Sequence, residues 1–199
     1  MASAEFWYEF ASTYSYPAAL RVGALAAARG VDLVWRPFLL GPIFAAQGWR
    51  DSPFNIYPAK GRYMWRDLER TCAAMGVPFR RPEPFPQSSL LAARVALALQ
   101  GEARAAFSLE VYMAEFGRGL PIADRATLGS VLAGCGVDPE LALERAESDA
   151  NKAALKAECA RAAEIGVVGA PSIVTTDGEV FWGNDRLEQA LDWAASARG

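Results

Sequence analysis

The sequence has no histidine among its 199 residues and only three cysteines, Cys72, Cys135 and Cys159. Without an imidazole the chain cannot assemble a Ser-His-Asp or Cys-His nucleophile, a His-ligated zinc site or a histidine general base. The cysteines are too few and too scattered for a disulfide framework or a thiolate metal cage, and none belongs to a C-x-x-C pair. Reduced, mostly packed thiols of a cytoplasmic protein are therefore expected, and no metal. Positive charge is also short: 20 Lys and Arg against 23 Asp and Glu leave a net charge of −3. That balance lacks the basic footprint of a nucleic-acid or anionic-membrane binder. Long apolar runs are missing as well. The longest, residues 38–46, is interrupted by Gly41 and Pro42, and residues 1–5 have neither the basic nor the apolar character of a leader. Neither export nor a membrane anchor is expected. What the chain does hold is 52% hydrophobic residues, enough for one large domain or a small domain carrying an insertion, which rules out disorder.

The apolar residues are patterned. The aromatic-rich segment 5–10 reads as a buried first strand, followed by a polar turn at 11–14 and a helix over 15–29 that stops at Gly30. Residues 32–38 give a second strand after a very short link, which makes a β-α-β unit with a parallel pair. The far end is complementary. A β-branched run at 172–176, the Asp177-Gly178 turn and a return at 180–182 form a hairpin, and Asn184 is placed to cap a last helix with Leu187, Ala190, Leu191 and Ala194 on one face. Between the halves lie only helix-like stretches, at 62–75, 88–99, 102–116, 124–132, 138–148 and 150–164, separated by Gly and Pro breaks such as Arg81-Pro-Glu-Pro-Phe-Pro86. The expected fold is α/β: thioredoxin-like β-α-β and β-β-α halves with a large all-helical insertion. Residues 1–59 and 164–199 would form the thioredoxin-like domain and 60–163 the helical insertion; an unrelated α+β domain of the same element order is the alternative.

Four places carry candidate chemistry. The first strand leads into Ser12-Thr13-Tyr14-Ser15, where unpaired N–H groups and the helix dipole favour an anion. Ser12 or Ser15 is read as an N-cap; the functional alternative is a Ser12 hydroxyl donating to a thiolate or oxyanion. Ala170-Pro171 stands just before a strand, and a cis bond there would expose the Ala170 backbone to an extended, peptide-like ligand. In Phe181-Trp-Gly-Asn184-Asp185, Asn184 and Asp185 are caps or, as a site, partners for a ligand carboxylate and ammonium. The Pro-flanked segment with Asn55 and Lys60 is a solvated crossover or the wall of a pocket, and its aromatics Phe44, Trp49, Phe54, Tyr57, Tyr63 and Trp65 favour the wall.

Taken together, Tyr8-Glu-Phe-Ala-Ser12-Thr-Tyr-Ser15-Tyr-Pro17, Gly41-Pro-Ile-Phe44 with Pro58-Ala-Lys60-Gly-Arg-Tyr-Met-Trp-Arg-Asp-Leu68, Gly169-Ala-Pro171 and Phe181-Trp-Gly-Asn184-Asp185-Arg-Leu187 resemble the 2-hydroxychromene-2-carboxylate isomerases, relatives of kappa-class glutathione transferases in the DsbA-like thioredoxin superfamily. The resemblance implies glutathione as cofactor and Ser12 at the catalytic serine position. It also implies Ala170 before a cis-Pro171 pairing with the cysteinyl part, Asn184 and Asp185 at the γ-glutamyl end, and Lys60 near the glycyl carboxylate. Asn55 follows by the same route. Two departures stand out: Thr13 replaces a frequent proline, and Ala45 stands where relatives often have lysine. The implied activity interconverts 2-hydroxychromene-2-carboxylate and trans-o-hydroxybenzylidenepyruvate, in a homodimer. In that reading Phe85, Trp49 and Tyr63 contact a small aromatic carboxylate substrate, whose carboxylate would meet Arg50, Lys60 or Arg62. A glutathione-borne thiol also fits a chain without histidine, because the protein then has only to lower the pKa of that thiol. A kappa-like transferase or peroxidase is the nearest alternative. A DsbA-like thiol-disulfide oxidoreductase is the next, although Ser12 and Ser15 stand where a redox pair would need cysteines.

Overall fold

The first strand, β1 (Ala2–Tyr8), alternates as a pleated strand must: Phe6 and Tyr8 face one side of the sheet and Trp7 the other, and all three are buried. The computed structural model, which describes residues 2–49 and 51–196, continues with α1 (Ser15–Ala28), β2 (Val31–Pro37), and the short α2 (Leu40–Ala46) and α3 (Pro53–Ile56). Six helices follow, α4 (Pro58–Met75), α5 (Leu90–Ala98), α6 (Gly101–Tyr112), α7 (Arg125–Gly134), α8 (Pro139–Glu147) and α9 (Asp149–Glu164), with α6 running on into a π-turn at Met113–Gly117. The last elements are β3 (Ser172–Thr175), β4 (Val180–Trp182), a 3-10 turn at Asn184–Arg186 and α10 (Leu187–Ser196). The strands pair in the order β2-β1-β3-β4, with β1 parallel to β2 and the other two pairings antiparallel. This is the α/β thioredoxin-like arrangement read from the sequence, with only helices between its two halves.

Packing fixes both faces of the sheet. Phe6 stacks on Tyr8, with centroids 5.4 Å apart, while Trp35 meets both rings edge-on, and this cluster continues into α1, α6 and α10. On the opposite face Trp7, Phe38 and Val174 pack against Leu155, Cys159 and Ala162 of α9. There Glu5 receives both Arg36 and Arg161, each at 2.8 Å, and the Arg161 guanidinium also covers the Trp7 ring. Burial raises the Glu5 pKa, but the two guanidinium groups outweigh it and hold the carboxyl below its ordinary value. Three of the helices start on side-chain caps that the sequence displays: Asp124 before α7, Asp138 ahead of Pro139 in α8, and Ser148 before α9.

Several local expectations are corrected. The first strand begins at Ala2 and ends at Tyr8, not Phe10, because the Glu9 carbonyl is taken by the Ser12 N–H and the Tyr112 hydroxyl, which turns the chain inward and packs Phe10 against Phe107 and Tyr112. Neither Ser12 nor Ser15 caps α1, whose N-cap position is Tyr14 with no side-chain bond. Asn184 caps nothing either; its side chain is bound by Arg21. The crossover after β2 contains α2 and α3 rather than loop alone. All three cysteines are free thiols, two buried and Cys135 half-buried. Among the described residues no helix is long and apolar enough to cross a membrane, and no cluster of three or more Cys, Asp or Glu could hold a metal.

Candidate functional site

The C-terminal end of β1, the N-terminus of α1 and the turn before β3 meet at the floor of a cavity of about 1480 Å³. Ser12 lies there because the chain turns at Glu9, which places its hydroxyl against the carbonyl of Ala170 at 2.8 Å. The Ala170–Pro171 bond is cis. Among the described residues the N–H groups of Thr13, Tyr14 and Ala170 carry no hydrogen bond, and no acidic residue stands in the first turn of α1. Ser12 and the start of α1 thus combine a hydroxyl, unpaired N–H groups and the positive end of a 14-residue helix, a setting that favours a negative charge.

Beside this floor, Arg21 of α1 organises the turn after β4. Its Nε donates to Asn184 Oδ1 at 3.1 Å, one terminal nitrogen donates to the Asn184 carbonyl, and the other donates to Glu188. With Oδ1 held by Arg21, the Asn184 NH₂ is oriented away from it and can donate to a carboxylate. Asp185, exposed at the mouth, has the opposite character. The turn depends on Gly183 at φ 125°, where a side chain would also press on Asp185. Gly169 is required sterically too, because the indole of Trp182 lies directly over it at the rim.

The opposite wall is aromatic and comes from both the crossover after β2 and the helical segment. Phe44 and Trp49 pack 5.8 Å apart, Tyr14 meets Phe54, and Phe85 wedges edge-on against Trp65 at 4.7 Å, placed by the Pro-rich stretch in which Glu83–Pro84 and Phe85–Pro86 are both cis. The Tyr14 hydroxyl donates to Asp67 of α4 at 3.0 Å. Burial, then that carboxylate, keep the phenol pKa far above its ordinary value, so Tyr14 stays neutral. Lys60, in the first turn of α4, reaches the same cavity with its ammonium over the Tyr57 ring.

Of the residues singled out from the sequence, the cavity gathers Ser12, Trp49, Lys60, Phe85, Ala170, Pro171, Asn184 and Asp185. Two lie outside it. Asn55 gives its amide to Asp51 and lines a separate outer cleft with Arg62, Trp65 and Arg81. Tyr63 is 62% exposed, with its ring beneath the Arg70 guanidinium. Arg62 faces the outer cleft, and Arg50 falls outside the described residues. Among the described lining residues there is no cysteine. Burial pushes the Cys72 thiol up to about 11 and raises Cys135 and Cys159 as well, so none is poised as a nucleophile. Sequence reasoning missed Glu9, Asp67 and Ser89, which also line the cavity. Glu9 stands three residues before Ser12, but with Glu5 in the same aromatic run nothing local set it apart.

Known proteins share this architecture. The DSBA-like thioredoxin domain profile matches residues 4–193. A 2-hydroxychromene-2-carboxylate isomerase of Sphingobium xenophagum is 31% identical over 186 residues, covering 92% of this chain and 93% of that protein. Glutathione S-transferase kappa 2 of Caenorhabditis elegans is 27% identical over 216 residues, covering 96% and 91%. Among solved structures, a 2-hydroxychromene-2-carboxylate isomerase superposes with a TM-score of 0.86 at 26% identity, over 98% of this chain and 95% of that one.

Proposed function

The chain belongs to the DSBA-like thioredoxin domain family and, within it, to the 2-hydroxychromene-2-carboxylate isomerases, and from that premise we propose that it is a glutathione-dependent isomerase interconverting 2-hydroxychromene-2-carboxylate and trans-o-hydroxybenzylidenepyruvate. The observation that carries the reading is the Ser12 hydroxyl at the α1 N-terminus, facing cis-Pro171, on the floor of a cavity roomy enough for a tripeptide and an aromatic acid together.

The residues present fit glutathione. The unbonded Ala170 N–H suits an extended cysteinyl backbone, the Asn184 NH₂ a carboxylate, Asp185 an ammonium and Lys60 a second carboxylate. When bound, glutathione supplies a thiol whose conjugate base adds reversibly to a conjugated carbon–carbon double bond, leaving a single bond that can turn. Ser12 then has a single role, in which its hydroxyl swings from the Ala170 carbonyl to donate to sulfur, while the Thr13 and Tyr14 N–H groups and the helix dipole favour the charged form. Phe44, Trp49 and Phe85 hold the substrate ring and exclude water. No step needs an imidazole.

The assay is a glutathione-dependent absorbance change on mixing purified protein with 2-hydroxychromene-2-carboxylate. Ser12→Ala is expected to lower kcat by about 10- to 100-fold, the loss of a hydrogen bond to a charged group worth about 1.5–3 kcal/mol, with glutathione still bound. An unchanged kcat would move the catalytic role away from Ser12. The volume of the cavity and the likeness to a kappa-class transferase support a second reading, transfer of glutathione to an electrophile, which the same protein would reveal as a stable glutathione conjugate.

A further inference from the structure

Four carboxylates line the cavity, Glu9, Asp51, Asp67 and Asp185, against one cation among the described residues, Lys60. Three of the acids are accounted for. Asp51 holds the Asn55 amide, Asp67 holds the Tyr14 hydroxyl and Arg70, and Asp185 stands exposed beside Arg186. Glu9 differs from them: it is 7% exposed, and among the described residues its carboxyl meets only the Ala11 N–H at 3.2 Å and the Ser89 hydroxyl, neither of which is charged.

Glu115 lies behind it in the π-turn. It is fully buried, and neither of its carboxyl oxygens has a hydrogen-bond partner among the described residues. Burial raises both acids above the ordinary carboxylate range, and the charge of Glu9 would raise Glu115 further. Tyr112 of α6 and Cys159 of α9 also face Glu9, and burial keeps both in their neutral forms. No cation among the described residues pairs with Glu9, and Lys60, the one cation among the described lining residues, lies over the Tyr57 ring instead. Burial beside a second acid, with no cation close by, disfavours the Glu9 carboxylate relative to its protonated form.

We propose that Glu9 is a catalytic acid–base that moves one proton between the two oxygens of a cyclic hemiketal substrate. The proposal rests on the isomerase reading of the same cavity. In 2-hydroxychromene-2-carboxylate the ring oxygen and a hydroxyl share one carbon, so a single carboxyl placed beside that carbon can serve both. The Glu9 proton goes to the ring oxygen as its bond to that carbon breaks, and the bonding pair stays on the oxygen, which becomes the phenol. The hydroxyl O–H then breaks, its electrons form the ketone C=O, and its proton goes to the Glu9 carboxylate. Glu9 ends as it began and no outside acid is consumed. Ser12 serves the sulfur, and Glu9 serves the oxygens.

The test compares wild type, Glu9→Gln and Glu9→Asp in kcat across pH, with the protonated-carboxyl infrared band of the unliganded proteins as a readout independent of turnover. Wild type should show a band at neutral pH that Glu9→Gln diminishes, and a kcat that falls as pH rises through the titration of that band. Glu9→Gln should lose about 100-fold in kcat and the alkaline fall with it, while its KM for glutathione holds. Glu9→Asp, still an acid, should retain the alkaline fall at an intermediate rate, which a merely structural role would not produce. A Glu9→Gln protein with the wild-type rate and pH profile overturns Glu9 and leaves the isomerase reading standing. Absence of the band change overturns Glu9 whatever the activity. A wild type that forms no isomerised product overturns the isomerase reading, and Glu9 with it.

Discussion

Ser12 is not committed in the structure: its hydroxyl rests on a backbone carbonyl 2.8 Å away, a neutral acceptor that a charged thiolate would displace. Glu115 shows the reverse condition, a carboxyl committed to burial with no hydrogen-bond partner among the described residues. Its pKa in the folded protein lies well above the ordinary value, chiefly from burial and then from Glu9. The folded state therefore keeps a proton that the unfolded chain releases. That contribution to stability is fully present below the unfolded value and is lost as pH rises towards the folded one. Wild type should accordingly be less stable at pH 8 than at pH 5, as read by urea unfolding. Glu115→Gln cannot ionise and should flatten much of that slope. Glu9 acts in the same direction, so some slope should survive. Equal wild-type stability at the two pH values would show that Glu115 is not held neutral.

At the scale of elements, the turn after β4 is built by α1. Arg21 grips the Asn184 side chain, its carbonyl and Glu188 together, which fixes both the position of the 3-10 turn and the way the Asn184 amide faces. Arg21 touches no ligand in this scheme, so Arg21→Gln should raise KM for glutathione about tenfold, near 1.4 kcal/mol, and leave kcat within a factor of two. A KM unchanged by the substitution would show that the turn holds itself. The same contact explains where sequence reading succeeded and where it failed. Helix and strand order was legible because periodicity and caps such as Asp138-Pro139 are local signals. Asn184 looked like a cap for the same local reason, and its real partner lies 163 residues away. The end of β1 was misplaced likewise, because what stops the strand is the Tyr112 hydroxyl on the Glu9 carbonyl, 103 residues distant. Ser12, Ala170 and Pro171 were legible through motifs; Asp67 and Ser89 were not, because only the tertiary fold brings α4 and α5 to the serine, and Glu9 was not, because its burial against Ser89 and Glu115 is a tertiary fact too.

The whole molecule closes its cavity with residues from both kinds of segment, Ser12, Ala170 and Asn184 from the sheet half against Lys60, Asp67 and Phe85 from the helical stretch. One buried cluster joins them: Phe6 and Tyr8 of β1 continue through Phe107 and Tyr112 of α6 to Leu132 and Leu143 of α7 and α8. Tyr8 donates to or accepts from Ser108 at 2.7 Å across that boundary, and Arg104 of α6 binds the Trp35 carbonyl of β2. A helical segment with its own core would unfold on its own; here its core is also the support of the sheet. Chemical unfolding should therefore be a single transition, with tryptophan fluorescence and far-ultraviolet circular dichroism coinciding. A ligand bound across the cavity grips both segments at once, so glutathione at 100 times its Kd should shift that whole transition by about 2.7 kcal/mol rather than split it. Two separated transitions, or a shift confined to one probe, would mean that the helices fold apart from the sheet and that the serine site is assembled only after the two have docked.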